Sequence, residues 1–192
     1  AYKWRNNMIL NLPYILESPK ADSFFNSFKD IPAICVSAGP SLDKNINQLK
    51  QAKGKALILC VGTALNALLK ANVEPDIVVT MDGQEANYKR FEGTFNQTES
   101  FLFTEKGNHH LINSNWQGPQ VYFTMKRNLS GWIEKIKGEY SPIYTGGTVA
   151  HSMVDLAYKL GADPIVLVGQ DLAYPKDENH THLFYVCKHV DI

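Results

Sequence analysis

The sequence predicts an α/β fold, a Rossmann-like and mostly parallel sheet flanked by helices, and three observations carry that expectation. Between residues 32 and 82, short apolar runs alternate with helical segments in the order strand, helix, strand, helix, strand. The runs are strand-sized and almost continuously aliphatic, the pattern of strands covered on both faces. Two of them, near opposite ends of the chain, break at once into glycine and polar groups. Pro32-Ala33-Ile34-Cys35-Val36-Ser37 runs into Ala38-Gly39-Pro40-Ser41, and Pro164-Ile165-Val166-Leu167-Val168 runs into Gly169-Gln170-Asp171. In an open parallel sheet such junctions lie at the carboxyl edge, where ligands bind.

Residues 1–30 read as an N-terminal helical arm or linker, and 31–192 as the α/β domain. Phe24, Phe25 and Phe28 lie at helical spacing and form a core-facing stripe. Strand 32–37 leads through Gly39-Pro40-Ser41 into a helix over 42–52, with Ser41 or Asp43 as its cap. Gly54 ends that helix and 56–61 is the next strand. Gly62-Thr63 opens a second helix over 64–71, and 77–81 is a third strand that stops at Asp82-Gly83. Such strand–helix–strand units make right-handed crossovers in a parallel sheet. Further strands are expected over 100–104 and 120–124, with a short helix over 108–115 between them. Residues 126–145 read as a loop with a helical turn around Trp132, Ile133 and Ile136. Gly146-Gly147-Thr148 then opens a helix that runs to Leu160 with Val149, Met153, Leu156, Ala157 and Leu160 on one face. Gly161 stops it before strand 165–168.

Composition narrows the function classes. The chain has 192 residues, enough for one well-cored domain, and its 44% hydrophobic content argues against disorder. Formal net charge is zero, so no global field draws it to nucleic acid or to an anionic membrane. No apolar run is long enough to span a bilayer. The three cysteines, Cys35, Cys60 and Cys187, are an odd number without a CxxC pair, which argues against a disulfide framework and against zinc. Cys35 and Cys60 sit inside apolar runs as small buried hydrophobes, and a cytoplasmic location is expected. The segment Leu183-Phe184-Tyr185-Val186-Cys187, close to the last residue, reads as part of a domain cut from a longer protein.

Several polar positions carry chemistry. Gly39-Pro40-Ser41 brings backbone N–H groups, a helix N-terminus and a hydroxyl toward an anion, although a plain turn with a cap explains the same residues. It is not a Walker A loop, because no Gly-Lys-Ser/Thr follows. On this reading a bulky residue at Gly39 removes nucleotide binding and leaves the fold intact. Gly62-Thr63 repeats the geometry on the adjacent strand. Asp82 is either a ribose or metal ligand, a base, or the turn residue before Gly83. Gly146-Gly147-Thr148 is another helix N-terminus of little bulk, suited to ribose or phosphate, with His151 one turn in as a packing or surface residue. Asp171 follows an aliphatic strand, where a carboxylate must be solvated, hydrogen-bonded or ligand-bound. His180-Thr181-His182 offers either a metal pair or a general acid or base, and a surface loop accounts for it better. His109-His110 reads still more strongly as a surface loop.

Taken together, Val36 to Asp43, Gly62-Thr63-Ala64, Pro75 to Asp82, Gly146 to His151, Gly169 to Tyr174 and His180 to His182 resemble a known family. They resemble the central MptE-like, sialyltransferase-like domain of the motility accessory factors, the Maf-type bacterial flagellin glycosyltransferases, over about residues 31–182. The resemblance implies transfer of a nonulosonic acid, of the pseudaminic or legionaminic type, from its CMP-activated form to Ser or Thr of flagellin. It implies nucleotide contacts from Gly39, Pro40, Ser41, Gly62 and Thr63, with Asp82, Gly146, Gly147 and Thr148 lining the same crevice. It places Asp171 and His180 or His182 near the sugar and acceptor, leaving Asp82, Asp171 and the two histidines as alternative catalytic groups. No metal ligand and no cofactor beyond the CMP-sugar donor are implied. The archaeal-type 6-hydroxymethyl-dihydropterin diphosphokinases, which use ATP and magnesium, share the glycine turns and the aspartate strand, and there Asp82 and Asp171 would be metal-linked. A third reading is a nucleotide- or flagellin-binding module that is inactive without flanking domains.

Overall fold

The structure is a computed structural model that describes residues 2–125, 133, 135, 136, 138 and 142–171. Cys187, His180, His182 and most of the 126–145 loop lie outside the described residues. The chain begins with α1 (Tyr2–Leu10) and α2 (Leu12–Glu17), followed by a 3-10 turn over Ala21–Phe24. There follow β1 (Ala33–Val36), α3 (Leu42–Ala52), β2 (Leu57–Val61), α4 (Gly62–Lys70), β3 (Ile77–Thr80) and α5 (Glu85–Phe91). The remaining described elements are β4 (Phe101–Glu105), α6 (His110–Asn115), β5 (Gln120–Phe123), α7 (Val149–Lys159) and β6 (Ile165–Val168).

The six strands form one sheet in the order β5-β4-β3-β2-β1-β6, and every neighbouring pair is parallel. This is the Rossmann-like α/β fold that the alternation of runs predicts. From β1 to β5 the chain steps one way along the sheet. Right-handed crossovers therefore put α3 to α6 on one face, and the long return from β5 to β6 brings α7 to the other. The central strands are the most deeply buried, with no exposed residue in β2 or β3. Leu65 and Leu68 of α4, and Met153, Leu156 and Ala157 of α7, close the two faces. Fully burying a side chain such as Leu65 contributes about 2 kcal/mol. Burial pushes the Cys35 thiol up to about 12 and raises that of Cys60 too, as small core hydrophobes require.

Three features differ from the sequence expectation. β6 is not covered on both faces: it is an edge strand, with Val166 46% and Leu167 53% exposed. Its aliphatic run fits a doubly buried strand, but sheet position is set by topology, which a local pattern does not encode. Helix α5 was not expected, because the seven residues Glu85–Phe91 are too few and too polar to show a helical period. His109-His110 is not a surface loop. His109 is 7% exposed, stacks on Tyr88 at 5.3 Å and on His110 at 5.1 Å, and meets Glu85 Oε2 at 3.0 Å.

The first thirty residues pack onto the sheet. The Tyr122 amide donates to the Pro19 carbonyl, Phe24 meets Phe101 and Phe103 edge-on, and the Phe28 amide donates to the Leu160 carbonyl. Among the described residues no helix is long and apolar enough to cross a membrane.

Candidate functional site

The carboxyl edge of the sheet gathers the glycine turns, and the structure sorts them into two corners. At the β1–β6 corner the turns are closed against each other. The Gly39 amide donates to the Gly169 carbonyl at 2.8 Å, Ser37 Oγ donates to Gln170 Oε1 at 2.7 Å, and the Ser41 amide donates to Asp171 Oδ2 at 2.9 Å. Ser41 is the N-cap of α3 without a side-chain cap bond, and the Asp171 carboxylate supplies the negative charge there instead. Glycine is required at this corner for close approach. A methyl group at Gly39 would lie 2.2 Å from Asp171 Oδ2 and 2.4 Å from the Gly169 carbonyl oxygen.

The β2–β3 corner is open. A cleft of about 290 Å³ is lined by Gly62 and Thr63 of α4, by Asp82, by Asn87 and Arg90 of α5, and by Gly147 and Thr148 before α7. Trp4 of α1 forms a further part of the wall. Gly62, Thr63, Asp82, Gly147 and Thr148 are thus brought together, whereas Gly39, Pro40, Ser41 and Asp171 form the other corner. Gly146 packs beneath His151, whose Nδ1 lies 3.0 Å from Thr148 Oγ1. The first turns of α4 and α7 begin with backbone N–H groups that have no partner within the helix, and neither Val61 nor Thr148, the N-cap residues, makes a side-chain cap bond. Arg90 lines the cleft and makes no ion pair or hydrogen bond among the described residues. Two helix N-termini and an arginine favour an anion there.

Asp82 is the one carboxylate lining the cleft among the described residues, and it is fixed from behind. Its Oδ1 accepts the Gln84 amide at 3.0 Å, and its carbonyl accepts the His109 amide at 3.2 Å and Asn87 Nδ2 at 2.8 Å. Asn87 also donates to Thr80 Oγ1 at 3.0 Å and to Asn108 Oδ1 at 3.1 Å. Thr80, Asn87 and Asn108 are all buried, and Asn113 and Thr104 extend the network. Such buried bonds are strong in low dielectric and costly to leave half-made. They tie the tip of β3 to that of β4 and hold Asp82 in place. The His110 imidazole is kept below its ordinary range by burial, and next by the adjacent His109, with Glu85 opposing.

Sequence reasoning missed Trp4, Asn87, Arg90 and Asn108. Asn87 and Arg90 sit on the helix that left no periodic trace. Asn108 follows Gly107 in the same glycine-then-polar pattern that marked the other strand ends, and that was the available signal.

A larger cavity of about 450 Å³ opens at the opposite, amino edge, lined by Phe24, Phe28, Phe101 and Phe103 with Lys53, Glu74 and Asp76. Its charges satisfy one another: Lys53 Nζ lies 2.6 Å from Asp76 Oδ1, and the Glu99 amide and Thr98 hydroxyl donate to Glu74. It lies away from the glycine turns.

A positive cleft with one fixed carboxylate, at the carboxyl edge of a parallel sheet, places the molecule among Rossmann-like α/β proteins with an anion-compatible site. The family follows from the sequence: residues 6–177 match the 6-hydroxymethylpterin diphosphokinase MptE-like family, and the chain belongs to it. It is 27% identical over 146 residues to the 6-hydroxymethyl-7,8-dihydropterin pyrophosphokinase of Methanothermobacter thermautotrophicus, covering 74% of this chain and 59% of that protein. Its fold is similar to that of the MAf glycosyltransferase from Magnetospirillum magneticum AMB-1, with a TM-score of 0.69 and 21% identity over 82% of this chain and 27% of that one. The central domain of a Maf glycosyltransferase, which the sequence motifs resemble, is thus matched in fold. Both relatives are named as enzymes, and the chain spans about three fifths and one quarter of their lengths respectively.

Proposed function

We propose that this chain is the donor-binding domain of a cytoplasmic glycosyltransferase that moves a pseudaminic- or legionaminic-type nonulosonic acid from its CMP-activated form to Ser or Thr of flagellin, without a nucleic-acid or membrane partner. The observation that carries this reading is the convergence of the α4 and α7 N-termini and the Arg90 side chain on one cleft. In this transfer the sugar–phosphate bond breaks, CMP leaves with the electron pair, and the acceptor oxygen forms the new bond to the oxocarbenium-like carbon. Gly62, Thr63, Gly147 and Thr148 hold the departing phosphate with preorganised N–H dipoles, and Arg90 neutralises it. Asp82 faces the same space and takes the proton of the acceptor hydroxyl. The Maf-like fold and the run of motifs support the choice of donor.

A second reading, ATP-dependent pyrophosphoryl transfer to a hydroxymethylpterin, is favoured by the name of the sequence relative and by the Asp82 carboxylate. Asp82 Oδ2 makes no hydrogen bond among the described residues, which fits magnesium held through one carboxylate and substrate phosphates. Bound there, the metal would neutralise charge on the transferred phosphates. In a third reading the chain binds nucleotide or flagellin and depends on flanking domains for turnover, in keeping with its small share of the glycosyltransferase it matches in fold.

Calorimetric titration with CMP and with ATP, each with and without magnesium, separates these. Metal-independent CMP binding is expected. Magnesium-dependent ATP binding with no response to CMP would overturn the transferase reading in favour of the kinase. Binding of CMP without transfer of a CMP-activated nonulosonic acid to flagellin would favour the binding module.

A further inference from the structure

We propose that Trp4 recognises the base of the bound nucleotide, its indole forming the surface on which the heterocycle stacks. The inference rests on the nucleotide reading of the cleft and adds to it a residue that sets specificity.

Helix α1 is held to the sheet edge by buried side chains. Asn7 Nδ2 donates to the Gly83 carbonyl at 2.9 Å, and Asn11 Nδ2 donates to the carbonyls of Lys106 at 3.0 Å and Asn108 at 2.9 Å. His110 Nδ1 meets Asn7 Oδ1 at 3.2 Å. These bonds fix α1 against the tips of β3 and β4. Trp4, three residues before Asn7, projects from the same face of the helix.

The backbone beneath Trp4 is cut away at Gly107, where a methyl group would lie 2.6 Å from Trp4 Cε3. The indole rests on that glycine, within contact distance of Gly83, and remains half-buried while lining the cleft. Its N–H makes no hydrogen bond among the described residues.

The sheet order sets the layout. The α4 N-terminus sits over β2, and Trp4 sits over the boundary of β3 and β4. That is one and a half strand spacings, roughly 7 Å, the reach of a ribose between a phosphate and a base. Asp82 lies between them, at the tip of β3, where a sugar would pass.

The test is calorimetry of the wild-type chain, Trp4→Leu and Trp4→Phe with CMP and with ribose 5-phosphate, alongside tryptophan emission. Loss of stacking lowers CMP affinity in Trp4→Leu roughly 5- to 100-fold and leaves ribose 5-phosphate affinity unchanged. Trp4→Phe, which keeps a ring on Gly107, stays within a few-fold of the wild type for CMP. CMP quenches wild-type emission, and that quench disappears in Trp4→Phe although binding persists, a readout that holds even if Trp4→Leu does not fold. Unchanged CMP affinity in folded Trp4→Leu, equal losses for both ligands, or a quench retained in Trp4→Phe overturns the stacking role alone. Wild-type chain that binds neither CMP nor ATP overturns the nucleotide reading and this inference with it.

Discussion

The β1–β6 and β2–β3 corners are built from the same kind of sequence, a buried strand that breaks into glycine and then a helix, yet they end in different states. At the first, Asp171 reaches across from β6, places its carboxylate on the Ser41 amide, and occupies the N-terminus of α3. At the second, no side chain among the described residues caps α4 or α7, and Arg90 adds a positive charge. The difference teaches that a glycine turn at a strand end is left open to an external anion only where the adjacent strand does not bring an anion of its own. Gly39 serves backbone packing and Gly62 admits the Phe91 ring, whereas Gly147 borders open space.

The largest effect expected from breaking this contrast is at Gly39. Gly39→Val drives a side chain into Asp171 and the Gly169 carbonyl and should lower stability by about 3 kcal/mol in urea unfolding. The CMP affinity of the folded fraction should be unchanged, the reverse of what the turn by itself implies. Next comes Arg90→Ala, which removes a guanidinium that holds no other group among the described residues. CMP affinity should fall about 10- to 100-fold by calorimetry, with unfolding midpoint unaltered. The smallest effect is expected for Asp171→Asn, which keeps an acceptor for the Ser41 amide but removes the charge from the α3 N-terminus. Stability should drop by about 0.5 kcal/mol, with no change in CMP binding. A large loss of CMP affinity in Asp171→Asn would erase the distinction between the corners.

Much of the fold was legible because each strand from β1 to β3 is a short aliphatic run bounded by glycine or proline, and because α3 and α4 carry clear apolar faces. The long return to β6 was not legible as an edge, since Ile165-Val166-Leu167-Val168 looks as buried as β2. Candidate site residues at strand ends, Gly62, Thr63 and Asp82, were visible by the change from aliphatic to small and polar, and Gly147 as a glycine pair opening a helix. Which of them share a space was not, because Ser41 meets Asp171 across 130 residues. Asn87 and Asn108 escaped for the same reason, as their importance comes from meeting each other and Thr80 within a buried network. Trp4 looked like one more apolar residue of an N-terminal arm, and its contact with Gly107, formed across the sheet edge, discloses the surface it covers.

The central claim is that the nucleotide phosphate rests on α4 and α7 rather than on the Gly39–Ser41 turn. It is tested most directly by following backbone amide resonances of the ¹⁵N-labelled chain during titration with CMP. The predicted result is saturable shifts at Gly62, Thr63 and Val149 with Gly39 and Ser41 unmoved. Shifts at Gly39 and Ser41, with Gly62 and Val149 unmoved, would contradict it.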